Sequence, residues 1–363
     1  MQIDKYGIIQ KIMSRLIQKI QEHFDSKLPF VCYCKPNSNK LIALFQRNNQ
    51  LHALDQIKSG FAFVSFDSNS KYGIPEQESD VYIESISNFE AYQNSDKVYE
   101  VDILAKVNFE SLVEKALKEI NSGTFEKVVL SRNEVVELSN FTIKKVFSSL
   151  VSKYTNSFRY CFYHSEIGLW MGATPEQLLK SNQNKVQTVS LAGTQLSSDI
   201  KNIVWEEKEI NEQKTVTEYI VDALKSCGAE VAKSEPYTFQ AGSIVHIKTD
   251  IEAQFESEVN VPNILELLHP TPAVCGFPKT EALEFISANE GYDREYYAGY
   301  LGEWNQDGNF DLYVNLRCMK VETNDGSVIA KLFVGCGINS GSQLEKEFFE
   351  TVNKAQTLKS ILN

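Results

Sequence analysis

The chain has 363 residues, 42% hydrophobic and 23% charged, an ordinary globular balance with room for one large core or two closely packed halves. Its formal net charge of -12 argues against nucleic acid and anionic membranes as partners, so any anion site must be built locally. Seven cysteines, an odd number with no metal-type Cys-x-x-Cys spacing, fit reduced thiols in the cytoplasm rather than a disulfide framework.

"YGIIQKIMSRLIQKIQEHF", residues 6–24, has apolar residues at helical spacing with Lys, Arg and Gln between them; it predicts an amphipathic surface helix, neither signal peptide nor membrane span. Up to about residue 100, short apolar runs such as "KLIALFQ" and "GFAFVSF" between Asn, Ser and Gly clusters predict short strands and turns, without assignable chemistry. A helix follows at 109–123, with Gly123 as its stop. Strands are predicted at 126–138, 158–164, 168–173, 186–194, 245–255, 309–322 and 328–338, and helices at 141–153, 206–226, 262–268, 279–290 and 342–361. Strands succeed one another through short turns while helices come singly, which predicts an α+β fold with large antiparallel sheets. No internal repeat or Pro-rich linker divides residues 1–363, so one domain is expected.

Two helices carry carboxylates in unusual places. On the 206–226 helix, Val216, Ile220, Val221 and Leu224 define a buried arc that also contains Glu209, with Glu212 to one side. An ionised side chain there is costly unless paired, so these are either buried salt bridges or ligands. On "LEKEFFETVNKAQ", residues 344–356, Leu344, Phe348, Phe349, Val352 and Ala355 form the apolar arc and Glu347, Glu350 and Lys354 a second stripe. That stripe suits either a salt-bridged solvent face or carboxylates presented to a shared ligand. If the helices face each other, up to four carboxylates converge, and such oxygen ligands select a hard cation such as Mg²⁺. The five histidines lack metal-site spacing, and no Walker A, GxGxxG or GxSxG motif is present.

Other candidates stand singly. In "VGCGIN", Gly335 and Gly337 end a strand, where a tight turn or close backbone approach to an anion would use them. Arg317 lies in the apolar run "LYVNLRCM"; pointing inward it needs an anionic partner, pointing outward it is a surface cation. Lys127 opens "KVVLS" as a desolvated base or a snorkelling edge residue, and Glu176 follows the turn "GATP".

Taken together, "FEKVVLSR" (125–132), "GATPE" (172–176), "SLAGT" (190–194), "KEINEQ" (208–213), "HIKT" (246–249), "HPTPAVCGFP" (269–278), "REYYAGYLG" (294–302), "NLRC" (315–318) and the "VGCGIN…" segment to Lys354 resemble the chorismate-utilising enzymes, and within them the isochorismate synthases. The resemblance spans roughly residues 100–356; residues 1–100 add little. It implies two packed, largely antiparallel sheets flanked by helices, with the site between them. By position it implies that Lys127 activates water for attack at C2 of chorismate and that Glu176 protonates the departing C4 hydroxyl. It places Glu209, Glu212, Glu347 and Glu350 around Mg²⁺ on the ring carboxylate. Tyr297, Arg317, Gly335 and Lys354 fall at positions binding or supporting the enolpyruvyl carboxylate, and Ala192, Gly193, Thr194, His246 and Ala273 at further substrate-binding positions. Glu345 and Lys346 are expected to face away from the ligand.

Three positions bear on the subfamily. Anthranilate synthases carry Gln where Lys127 stands, aminodeoxychorismate synthases carry Lys where Ala192 stands, and salicylate synthases tend to have Thr where Ala273 stands. The resemblance therefore implies isochorismate as product, with no glutaminase subunit, feeding menaquinone or a siderophore. A salicylate synthase is the close rival. A catalytically dead binding protein is the distant one, and its signature, loss of Lys127, Glu176 or a metal glutamate, is absent. Gln213 stands where many relatives have His, which bears on local hydrogen bonding.

Overall fold

The computed structural model describes residues 16–86, 101–196, 203–241, 244–256, 260–324 and 326–362. Two antiparallel sheets stack face to face. In the first the order is Gly276–Phe277, Lys127–Glu137, Ser327–Ile338, Cys318–Asn324, Gly168–Thr174, Phe158–His164, Phe30–Cys34, Lys40–Gln46 and Ser79–Ser85. In the second it is Glu230–Lys233, Ile244–Gln254, Lys185–Leu196, Gln177–Asn182, Phe310–Val314, Tyr300–Asn305, Ser59–Val64, Lys71–Pro75 and His52–Ala53, with Tyr237–Ala241 also paired to Ile244–Gln254. The described residues before 87 thus supply strands to both sheets.

Strand alternation explains the layering. In Phe158–His164, Phe158, Tyr160 and Phe162 enter the core between the sheets while Cys161 and Tyr163 enter an outer core under helices. Phe63 of the second sheet stacks on Phe162 of the first with ring centroids 4.1 Å apart. The outer core is closed by the Ile143–Lys153 helix, capped by Thr142, and by helical residues 16–25, which bury Leu16, Ile17 and Ile20. The expected helix at 6–24 is therefore met over its described part, residues 1–15 lying outside the described residues. Ile103–Ser122 begins six residues before the predicted start because Asp102 caps it, accepting from Ala105 N at 3.0 Å, and it ends at Gly123 with φ 82°.

One predicted element is corrected. The apolar run 309–322 is not one strand: Phe310–Val314 belongs to the second sheet and Cys318–Asn324 to the first. The chain crosses between them at residues 315–317. Asn315 is tied there by Tyr160 Oη, which donates to its Oδ1 at 2.7 Å, and Arg317 turns the chain with φ 49°. Strands Gln177–Asn182, Tyr300–Asn305, Glu230–Lys233 and Tyr237–Ala241 add to those predicted.

The two glutamate-bearing helices sit on different sheets. Glu207–Ser226 packs on Lys185–Leu196, and Leu344–Lys359 packs on Ser327–Ile338. Their first turns are joined by an ion pair between Lys208 and Glu347.

Candidate active site

Between the sheets a narrow pocket is walled by apolar Val129, Pro175, Leu191, Ala273, Leu316 and Phe333 and reached by Glu176, Ala192, Thr194, Glu212, His246, Tyr297, Arg317, Gly335 and Lys354. Ten of the predicted site residues therefore meet at one place. Lys127 lines an adjoining outer cleft with Glu212. Gly193, Glu209, Glu347 and Glu350 are not among its lining residues.

Arg317 points inward, is buried, and makes no ion pair among the described residues; Nη1 reaches Thr357 Oγ1 at 3.3 Å and Nη2 reaches His246 Nε2 at 3.3 Å. Burial, then the charges of Arg317 and Lys354, pushes His246 down to about 3, so the ring is neutral. With Nδ1 2.9 Å from Gly193 O, the consistent tautomer donates from Nδ1 and accepts at Nε2 from Arg317. A buried guanidinium with this support and no carboxylate at ion-pair distance among the described residues suits an anionic group.

Glu176, at the end of "GATPE", is buried, and burial pushes its carboxyl up to about 7 against the opposing charges of Lys127, Lys354 and Arg317. Near neutral pH a large share of this carboxyl therefore still holds its proton. Lys127 Nζ lies 2.9 Å from Glu212 Oε1, at ion-pair distance though outside hydrogen-bond geometry. Burial raises the Glu212 carboxyl, but Lys127 and then Lys208 and Lys354 outweigh it and hold the group below the usual range.

Gly337 makes that pair possible, since a Cβ there would lie 2.3 Å from Glu212 Oε1 and 3.0 Å from Lys127 Cε. At Gly335 a Cβ would lie 2.9 Å from Tyr297 Oη, and the Gly335 carbonyl accepts from Lys354 Nζ at 2.8 Å. Both glycines stay within the strand ladder, opposite Ser131 and Val129. Their missing side chains make room for Glu212, Lys127 and Tyr297. Gly193, with φ 72°, lies at a strand irregularity where a Cβ would come within 3.0 Å of Glu209 Cβ. Tyr297 is buried and stacked on Phe333 with centroids 5.6 Å apart.

The acidic set converges, but each member is engaged. Glu347 pairs with Lys208, Glu350 Oε1 with Lys354 at 2.8 Å and Glu212 with Lys127, while Glu209 Oε2 accepts from Glu206 N at 3.1 Å in a capping box. Among the described residues no three carboxylate, imidazole or thiolate groups stand in metal-binding geometry. The donor chemistry nonetheless fits a hard cation. Three carboxylates on two helices, Glu347, Glu350 and Glu212, act on the one Lys208 ammonium, and Glu347 Oε2 is buried without a hydrogen-bond partner. Burial pulls Lys208 down, but Glu347, Glu350 and Glu212 together hold it above its usual value, as an ammonium. Glu347 is pushed up by burial and by Glu350, with Lys208 opposing.

As expected, Glu345 faces away, 2.6 Å from Lys106 on the exposed side. Phe349, predicted on the apolar arc, is instead 38% exposed with Lys106 over its ring. Gln213 is buried with Nε2 2.8–2.9 Å from the hydroxyls of Ser190, Thr217 and Thr249, so the position is satisfied without an imidazole. The residue that sequence reasoning passed over is Lys208. It stands inside "KEINEQ", one turn before Glu212, and that i, i+4 spacing was its available signal.

Fold and pocket together define a two-sheet protein whose central pocket, lined by Arg317, Lys354 and Glu176, suits a small anionic ligand. The chain belongs to the family of chorismate binding enzymes, whose profile matches residues 67–363. Isochorismate synthase EntC of Escherichia coli K12 is 28% identical over 287 residues, covering 76% of this chain and 72% of that protein. Isochorismate synthase MenF of Bacillus subtilis 168 is 30% identical over 274 residues, covering 71% of this chain and 56% of its own length. The structure of MenF, the menaquinone-specific isochorismate synthase of E. coli, superposes with a TM-score of 0.75 at 20% identity over 92% of this chain and 89% of that one. Anthranilate synthase component I of Streptococcus pneumoniae gives 0.66 at 17% identity, over 92% of each chain. At these identities the two structures speak for the fold.

Proposed function

We propose that the protein is an isochorismate synthase, converting chorismate to isochorismate with Mg²⁺. The observation that carries this reading is the placement of Glu176, its carboxyl pushed up to about 7 by burial, in the pocket, with the Lys127–Glu212 pair at the adjoining cleft and Glu212 lining both. Arg317, with Lys354 nearby, receives the enolpyruvyl carboxylate. Lys127 takes a proton from the water attacking C2, and Glu212, 2.9 Å away, balances the ammonium that results. Glu176 gives its proton to the C4 hydroxyl, which leaves as water. One water enters and one departs, so the reaction is a net isomerisation, and the reverse direction uses the same groups in exchanged roles.

Glu209, Glu212, Glu347 and Glu350 would hold Mg²⁺, which when bound would neutralise the ring carboxylate and fix it between the two helices. Water as nucleophile requires no ammonia-supplying subunit. No helix among the described residues is long and apolar enough to cross a membrane, and all seven cysteines are free, which fits a cytoplasmic reaction. The relatives' names point to menaquinone and siderophore routes alike.

Incubation of the purified protein with chorismate and Mg²⁺, followed by proton NMR, tests the reading. Isochorismate should accumulate to an equilibrium mixture. Salicylate with stoichiometric pyruvate would instead assign a salicylate synthase, and unchanged chorismate would reject both.

A further inference from the structure

The Lys208–Glu347 contact has no part in the mechanism above, yet it ties together the two helices that carry the acidic set. Lys208 lies in the first turn of Glu207–Ser226 and reaches across to the Leu344–Lys359 helix. Lys127 and Lys354 each hold one carboxylate at the flanks, whereas Lys208 feels Glu347, Glu350 and Glu212 together. Its partner Glu347 is 1% exposed in its side chain and keeps a second oxygen, Oε2, with no hydrogen bond. An amine that fills the space among several carboxylates and leaves a buried lone pair unmet substitutes imperfectly for a multivalent ion.

We infer that Lys208 is a tethered counter-ion: it holds the cation position of the free enzyme and withdraws when a divalent metal enters. Charge supports this. A dication entering beside Glu347 meets the Lys208 ammonium already paired with that carboxylate, and the two like charges repel at contact distance. Space supports it as well. Lys208 also lines the outer cleft with Glu207, Asn211, Asn339, Ser340 and Gly341, and Gly341 presents no side chain to its path. Lys208 thereby keeps the acidic set assembled in the absence of metal and sets how tightly metal binds. This inference rests on the Mg²⁺ reading of the preceding subsection.

The test uses Mn²⁺ as probe, titrated by electron paramagnetic resonance into metal-free full-length protein without substrate. Lys208→Met should bind Mn²⁺ at least about tenfold more tightly than wild type, and Lys208→Arg, which keeps the charge, should stay near wild type. Equal or weaker binding by Lys208→Met, or equally tight binding by Lys208→Arg, overturns the inference while leaving the metal site standing. Absence of Mn²⁺ binding in all three proteins overturns the metal reading and this inference together. Should Lys208→Met not fold, acetylation of wild type read by mass spectrometry decides: Lys208 should react faster with Mn²⁺ than with chelator, and unchanged or slower reaction overturns the inference.

Discussion

Replacing Glu176 by Gln separates catalysis from stability in opposite directions. The amide is nearly isosteric with the protonated acid and cannot ionise. Below pH 4.5 the carboxyl of Glu176 is neutral in both folded and unfolded wild-type chains. Between 4.5 and about 7 the unfolded chain releases this proton while the folded chain retains it, so this group's contribution to stability falls as pH rises through that window. The displacement from 4.5 to about 7, at ~1.4 kcal/mol per pH unit, amounts to about 3 kcal/mol. Glu176→Gln removes that loss, so the variant should gain roughly 3 kcal/mol on wild type between pH 4.5 and pH 8, read from urea unfolding at the two pH values. Over the same series kcat should fall by roughly 10²- to 10⁴-fold, the usual worth of a positioned acid, and the wild-type rate should decline above about pH 7. A variant whose stability tracks wild type across the range and whose kcat lies within about threefold would refute both the burial argument and the assigned role.

Arg317→Ala removes a buried guanidinium that has no ion-pair partner among the described residues, so steady-state kinetics should show KM raised by roughly tenfold to a hundredfold with a smaller change in kcat. Gly337→Ala places a methyl 2.3 Å from Glu212 Oε1 and should part the Lys127–Glu212 pair; a kcat loss on the order of 10²-fold with unchanged circular dichroism is expected, and full activity would contradict the packing argument. Glu347→Gln should weaken Mn²⁺ binding at least about tenfold, whereas Glu345→Gln, paired to Lys106 on the exposed side, should leave it unchanged; equal effects would remove Glu347 from the ligand set.

Periodicity was enough to find both glutamate helices and most strands, because alternation and helical arcs are local properties. What it missed depends on contacts between distant segments. The run 309–322 alternates well enough to pass for one strand; its break comes from a left-handed φ at Arg317 and from Asn315 held by Tyr160, 155 residues away. Likewise the wheel put Glu209 on a buried arc, but it could not show that its carboxylate caps its own helix. That Glu and Lys side chains converge was legible in the two helices. Which lysine takes which glutamate was not, since the pairing is set by how two helices on different sheets approach. Gly335 and Gly337 were visible as signals, and their purpose became clear only once the neighbours of their missing Cβ atoms were known.

The central claim is that water, activated at Lys127, attacks C2. It is tested most directly by running the reaction in oxygen-18 water with Mg²⁺ and analysing the product by mass spectrometry. Wild type should give isochorismate carrying one solvent oxygen at C2, and Lys127→Gln should form it roughly 10²- to 10⁴-fold more slowly. Isochorismate formed without label, or labelled at an undiminished rate by Lys127→Gln, would contradict the account.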